Sequence, residues 1–116
     1  MNLTIARRRM EPDIDVIELA GRVTQGRDTS ELESIVTGIF AAGGRKIIID
    51  LVGVTYIDSS GVGVMAYAAS KARGADAKLA ITGCGGMVLE VFRITRIDLV
   101  VPFFPDIASA VASFSG

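Results

Sequence analysis

Residues 54–64 read Val54-Thr55-Tyr56-Ile57-Asp58-Ser59-Ser60-Gly61-Val62-Gly63-Val64, and the reading of this stretch decides the fold. An apolar run stops at an acid and two hydroxyls, passes two glycines, and continues into Val62, Met65, Ala66, Ala69 and Ala72. That spacing lays apolar residues along one face of a helix and predicts one over 60–73, with Lys71 and Arg73 suited to its C-terminal end and Gly74 to its stop. The segment is therefore a strand-to-helix junction, and the neighbouring sequence supplies more of the same unit.

Upstream, Lys46-Ile47-Ile48-Ile49-Asp50 is a short β-branched run of the kind that forms a strand covered on both faces, with Asp50 read as its end, bonding nearby backbone. Segments 78–82 and 99–103 read as two more strands. Helices are expected at 87–95 and 106–113, and Leu32, Ile35, Val36, Ile39 and Phe40 predict another with one buried face. Its start signals are Asp28-Thr29-Ser30, with Ser30 and Glu33 at capping-box spacing, and Gly43-Gly44 ends it. At the N-terminus, strands at 3–8 and 15–20 flank the turn signal Glu11-Pro12-Asp13 and are expected to pair as a hairpin. The order β-β-α-β-α-β-α-β-α predicts an α/β fold with right-handed parallel crossovers. Sites in such sheets lie beyond the carboxyl ends of the strands, which points to the loop at Asp58.

Bulk properties narrow the function. The chain has 116 residues, half of them apolar, enough for one domain over 1–116 with its own core. A net charge of -1 and the absence of a long basic block argue against nucleic acid as partner; Arg7-Arg8-Arg9 is the one basic cluster and reads as a solvated strand end. There is no histidine, which removes a Ser-His-Asp triad and any His-ligated metal, and the single cysteine, Cys84, fits a reducing compartment. The apolar runs fall short of the roughly 20 residues that span a bilayer, and the N-terminus lacks a signal-peptide pattern, so no membrane partner is expected and the setting is expected to be cytoplasmic.

At the junction, the hydroxyls have two physical uses. A serine there caps the unpaired N–H groups of the first helical turn, worth about 1 kcal/mol, or it carries a phosphate against the positive helix end. Gly61 and Gly63 keep the surface low for an approaching protein. From the residues alone both uses stay open, since one serine can cap while the other is exposed.

Asp58-Ser59-Ser60-Gly61-Val62-Gly63 resembles the Asp-Ser-Ser/Thr-Gly-Leu-Gly signature of STAS domains, specifically the anti-sigma-factor antagonists. Leu19-Ala20-Gly21-Arg22-Val23 resembles the family's second strand, Ile47-Ile48-Ile49-Asp50-Leu51 its central strand, and Phe92-Arg93-Ile94-Thr95-Arg96-Ile97 its third helix and following turn. The resemblance implies a STAS-like α/β fold: a mixed sheet of about four to five strands, the N-terminal hairpin strand plus parallel βα units, packed by about four helices. It also implies an antagonist whose unphosphorylated form binds an anti-sigma factor with serine kinase activity and so releases a sigma factor. Phosphorylation at Ser59 ends the complex and a protein phosphatase restores it. Asp58, Ser60, Gly61 and Gly63 then contact the partner or position the kinase, with Ser60 the expected cap. Val23-Thr24 stands where the family often has an acid that aids partner recognition. A scaffold STAS domain without a phosphorylation cycle is the alternative.

No cofactor, metal site or catalytic residue is expected. An acid–base pair of Asp50 and Asp58 at one strand end is the enzymatic reading, and it ranks lowest. The loop Gly83-Cys84-Gly85-Gly86 has no Walker lysine after it and reads as a flexible strand-to-helix connection, with Cys84 an inert or buried thiol.

Overall fold

A computed structural model describes residues 3–115. Among them run strand β1 (Leu3–Met10), strand β2 (Ile14–Val23), helix α1 (Arg27–Ala41), strand β3 (Lys46–Ile57), helix α2 (Ser59–Gly74) and strand β4 (Lys78–Thr82). Helix α3 (Gly86–Ile94), a 3-10 turn (Ile97–Leu99), strand β5 (Phe103–Phe104) and helix α4 (Ile107–Ser115) complete the described chain. The five strands form one mixed sheet in the spatial order β1-β2-β3-β4-β5. The β1–β2 hairpin is antiparallel, and every later pairing is parallel. The expected α/β architecture, with its N-terminal hairpin and four helices, is the one observed.

Alternate residues of the central strands divide the sheet between two cores. Ile17, Ile49 and Ile81 are register partners on one face, which packs on Leu32 and Val36 of α1, Met65 of α2 and Val88 and Phe92 of α3. Val16, Ile48 and Ala80 are partners on the other and meet Ala110 and Phe114 of α4. Strands buried on both sides are apolar throughout, which is why 47–49 carries three isoleucines in a row.

Local departures have identifiable causes. Strand β3 does not end at Asp50 but continues to Ile57. Asp50 is 5 % exposed within the strand, and its Oδ1 accepts from the Thr82 hydroxyl of β4 at 2.7 Å rather than from nearby backbone. A buried carboxylate is tolerated here because a neighbouring strand satisfies it. The α1 cap lies earlier than the Ser30–Glu33 spacing suggests: Gly26 is the N-cap, and Thr29 Oγ1 accepts from the Gly26 N–H at 3.2 Å and donates to the Gly26 carbonyl at 3.0 Å. Gly43 and Gly44 end α1 as expected, their N–H groups donating to the carbonyls of Phe40 and Ile39. The segment 99–103 is not a strand; the 3-10 turn takes its first part, and only Phe103 and Phe104 pair with β4.

The glycine loop after β4 is shaped by close approach. Gly83 has φ +72°, and a Cβ there would lie 2.9 Å from Asp50 Oδ1 and 3.0 Å from the Val52 backbone nitrogen. Gly86, at φ +57°, opens α3. Cys84 between them is half-buried against the main core, and burial pushes its thiol up to about 11, so the thiolate is scarce at neutral pH.

Candidate functional site

The site is built where β2 and β3 end side by side. Val23 and Ile57 are register partners at the ends of the two strands, and the Asp58 N–H donates to the Val23 carbonyl at 3.1 Å, carrying the pairing one step beyond β3. The chain then turns directly into α2. Asp58, in an extended conformation, is the N-cap: its Oδ1 accepts from the Gly61 N–H at 3.0 Å and its carbonyl from the Val62 N–H at 3.0 Å. Oδ2 accepts from the Gln25 N–H at 3.0 Å, so the same carboxylate ties the β2–α1 connection to the head of α2.

Asp58 is therefore the cap that Ser60 was expected to be. Partial burial works to raise the Asp58 pKa, but backbone donors at Gln25, Gly61, Ser60 and Asp58 itself outweigh it and hold the carboxyl below its ordinary value. Its charged form thus contributes stability fully above the ordinary aspartate range, and the contribution is lost as pH falls through the lowered folded-state pKa. Asp58→Ala is expected to destabilise the protein by about 1 kcal/mol, within the 0.5–2 kcal/mol span of lost N-caps, and to speed hydrogen exchange at the Gly61 and Gln25 amides. Asp58→Asn keeps a capping oxygen, so any stability gap between it and the native chain should shrink below about pH 3.9. Chemical denaturation across that pH range measures both.

With the cap supplied by Asp58, neither serine is needed for it. Ser59 is the first residue of α2 and is exposed; Ser60 is half-buried. Gly63 is exposed, with open space around the position of a Cβ. Gly61, expected at the partner surface, faces inward: it is buried, and a Cβ would meet Ile57 Cγ1 at 2.5 Å, Val23 Cγ1 at 2.8 Å and the Val23 carbonyl at 2.9 Å. Ser60 and Gly63 line a hollow of about 350 Å³ together with Thr29, Ser30 and Glu33 of α1.

The structure thus brings Asp58, Ser59, Ser60 and Gly63 to one helix end. It adds Gln25 and the first half of α1, which the sequence reading had used only for capping. No local signal marks Gln25, because its contact with Asp58 spans 33 residues. Asp50 and Asp58 are not brought together: the seven strand residues 51–57 lie between them and hold them roughly 25 Å apart. Among the described residues no group of His, Cys, Asp and Glu could hold a metal ion, and no helix is long and apolar enough to cross a membrane.

The fold has counterparts among known proteins. An anti-sigma factor antagonist from Mycobacterium paratuberculosis superposes with a TM-score of 0.89 at 18% identity, covering 99% of this chain and 96% of that one. The phosphorylated Bacillus cell fate determinant SpoIIAA gives 0.77 at 14% identity, over 96% and 99%. An anti-sigma-factor antagonist (STAS) domain protein from Planctomyces limnophilus gives 0.77 at 22% identity, over 97% and 98%. No curated protein sequence matches significantly. The STAS domain itself matches residues 9–110, from the end of β1 to the middle of α4 and across the whole Asp58–Gly63 junction. By that match the chain belongs to the STAS domain family.

Proposed function

We propose that this chain is an anti-sigma-factor antagonist, a single domain over residues 1–116 switched by phosphorylation of Ser59. Unphosphorylated, it binds an anti-sigma factor that is also a serine kinase, and a sigma factor is released. Phosphate on Ser59 ends the complex, and a protein phosphatase resets it. The chain performs no chemistry of its own, acts in the cytoplasm, and uses neither nucleic acid nor membrane as partner.

The observation that carries this reading is the division of labour at the head of α2. Asp58 holds the cap, which leaves the Ser59 side chain exposed and without structural duty. A phosphate there is tolerated in the free protein, because the helix N-terminus offers partial positive charge. In an interface the same group adds about two negative charges beside the ionised Asp58, at a cost in desolvation and repulsion. That SpoIIAA has been determined in both phosphorylated and unphosphorylated forms supports the reading, since its fold is the one seen here.

Incubation with ATP and the cognate kinase is expected to label the native chain and Ser60→Ala but not Ser59→Ala. Ser59→Asp is expected to bind the anti-sigma factor more weakly by calorimetry. Equal labelling of Ser59→Ala overturns the site. Intact-mass analysis of the chain from its native cells provides the physiological check. An absence of phosphate under every growth condition would favour the scaffold role.

A further inference from the structure

The segment that fails to become a strand leaves a cavity behind. Strand β5 pairs only Phe103 and Phe104 with Ile81 and Thr82, so Lys78, Leu79 and Ala80 of β4 have no strand beyond them. Where a longer β5 would run, the chain winds through the 3-10 turn and returns over Val100–Pro102. A groove of about 430 Å³ results, within the range of small-molecule sites. Its floor is apolar and assembled from four elements and a loop: Ala72 of α2, Leu79 of β4, Val101, Phe104 of β5 and Phe114 of α4.

Two cations border this floor, Arg73 at the end of α2 and Lys78 at the start of β4, and among the described residues no aspartate or glutamate lines the groove. The Lys78 ammonium donates to the Phe114 carbonyl at 3.1 Å, which fixes it at the groove while leaving two further N–H donors. An apolar slot with a cationic border is complementary to a molecule with an aliphatic tail and an anionic head. We propose that this groove binds an aliphatic carboxylate of medium chain length, the tail against Leu79, Val101 and Phe114 and the head between Arg73 and Lys78. The site is separate from Ser59, which lies at the opposite end of α2, roughly 20 Å away by the helical rise.

The test is NMR titration of the full chain with decanoate below its micelle concentration, with acetate and decanol as controls. Saturable shifts centred on Val101, Phe104 and Phe114 are expected, with decanoate bound at least tenfold more tightly than acetate. Each methylene added from hexanoate to decanoate should tighten binding by up to roughly fourfold. Decanol should bind severalfold more weakly than decanoate, and Arg73→Gln with Lys78→Gln should remove that difference. Both side chains are exposed, so this variant is expected to fold. Ser113→Trp, from an exposed position on α4 at the groove, should block binding while the circular dichroism is retained. Absence of saturable shifts overturns the proposal, as does equal affinity for decanoate and decanol. Shifts that track a concentration-dependent dimer in sedimentation also overturn it, since a second copy would then be the occupant.

Discussion

Gly61→Val is expected to lower the thermal midpoint by about 10 °C or more, the consequence of a loss of about 3 kcal/mol in a chain of this size. The first carbon added at this position meets atoms of two kinds. Ile57 Cγ1, at 2.5 Å, belongs to a side chain that can move. The Val23 carbonyl, at 2.9 Å, cannot retreat without giving up the Asp58 N–H that it accepts. A single methyl is partly offset by the gain of about 1 kcal/mol in helix propensity from glycine to alanine, so Gly61→Ala should fall well short of valine. Valine adds two further methyl groups in the same buried space and loses part of that gain through its branched carbon. A calorimetric scan of the three proteins orders them; a valine variant as stable as the native chain would show that α2 does not sit on Val23 in this way.

Phe92→Ala is expected to cost about 3–5 kcal/mol, a large share of the 5–15 kcal/mol that usually separates folded from unfolded domains. Phe92 is 0% exposed and meets Phe103 edge-on, ring centres 5.3 Å apart and planes at 62°. It anchors α3 to the main core and is one contact through which Phe103 of short β5 joins that core. The urea midpoint should fall sharply, whereas Phe92→Leu should recover most of the loss. Where the alanine protein remains folded, the proposed phosphorylation at Ser59 should be unaffected, because the α2 cap uses neither ring. A cost below about 1 kcal/mol would contradict the packing described.

The elements that sequence reading located well are those whose burial follows one regular pattern along their length, one covered face in a helix or both faces in a strand. The face of α1, at Leu32, Val36 and Ile39, and the doubly covered run 47–49 announce themselves in this way. Strand β3 was legible only in its first half, and its register explains why. Glu18 pairs with Asp50, Ala20 with Gly53 and Arg22 with Tyr56, so β3 accommodates two extra residues against β2. Those irregularities break the alternation, leaving Val54 and Ile57 on the same core although three residues apart. A period-of-two reading therefore stops near Asp50, whose partner, Thr82, lies 32 residues away. Segment 99–103 misled in the opposite sense. Its apolar residues suggest a buried strand, yet Leu99 is 71% and Val100 47% exposed, and pairing with β4 begins only at Phe103. At the site, Asp-Ser-Ser could be recognised as a helix start. Which of the three side chains caps depends on where the strand ends, and that is a property of the sheet.

The spatial order of the strands is also their order in the chain. A ribosome delivers β1 first, and each strand that follows finds its neighbour already made at the open side of the growing sheet. No strand has to wait for a distant one or be threaded between two others, which keeps the loops closed during assembly short. The nascent chain can thus add one β-α unit at a time as it emerges. The junction that bears Ser59 takes shape only once β3 has been laid against β2, so any kinase that reads its geometry would meet it after the first half of the sheet is built.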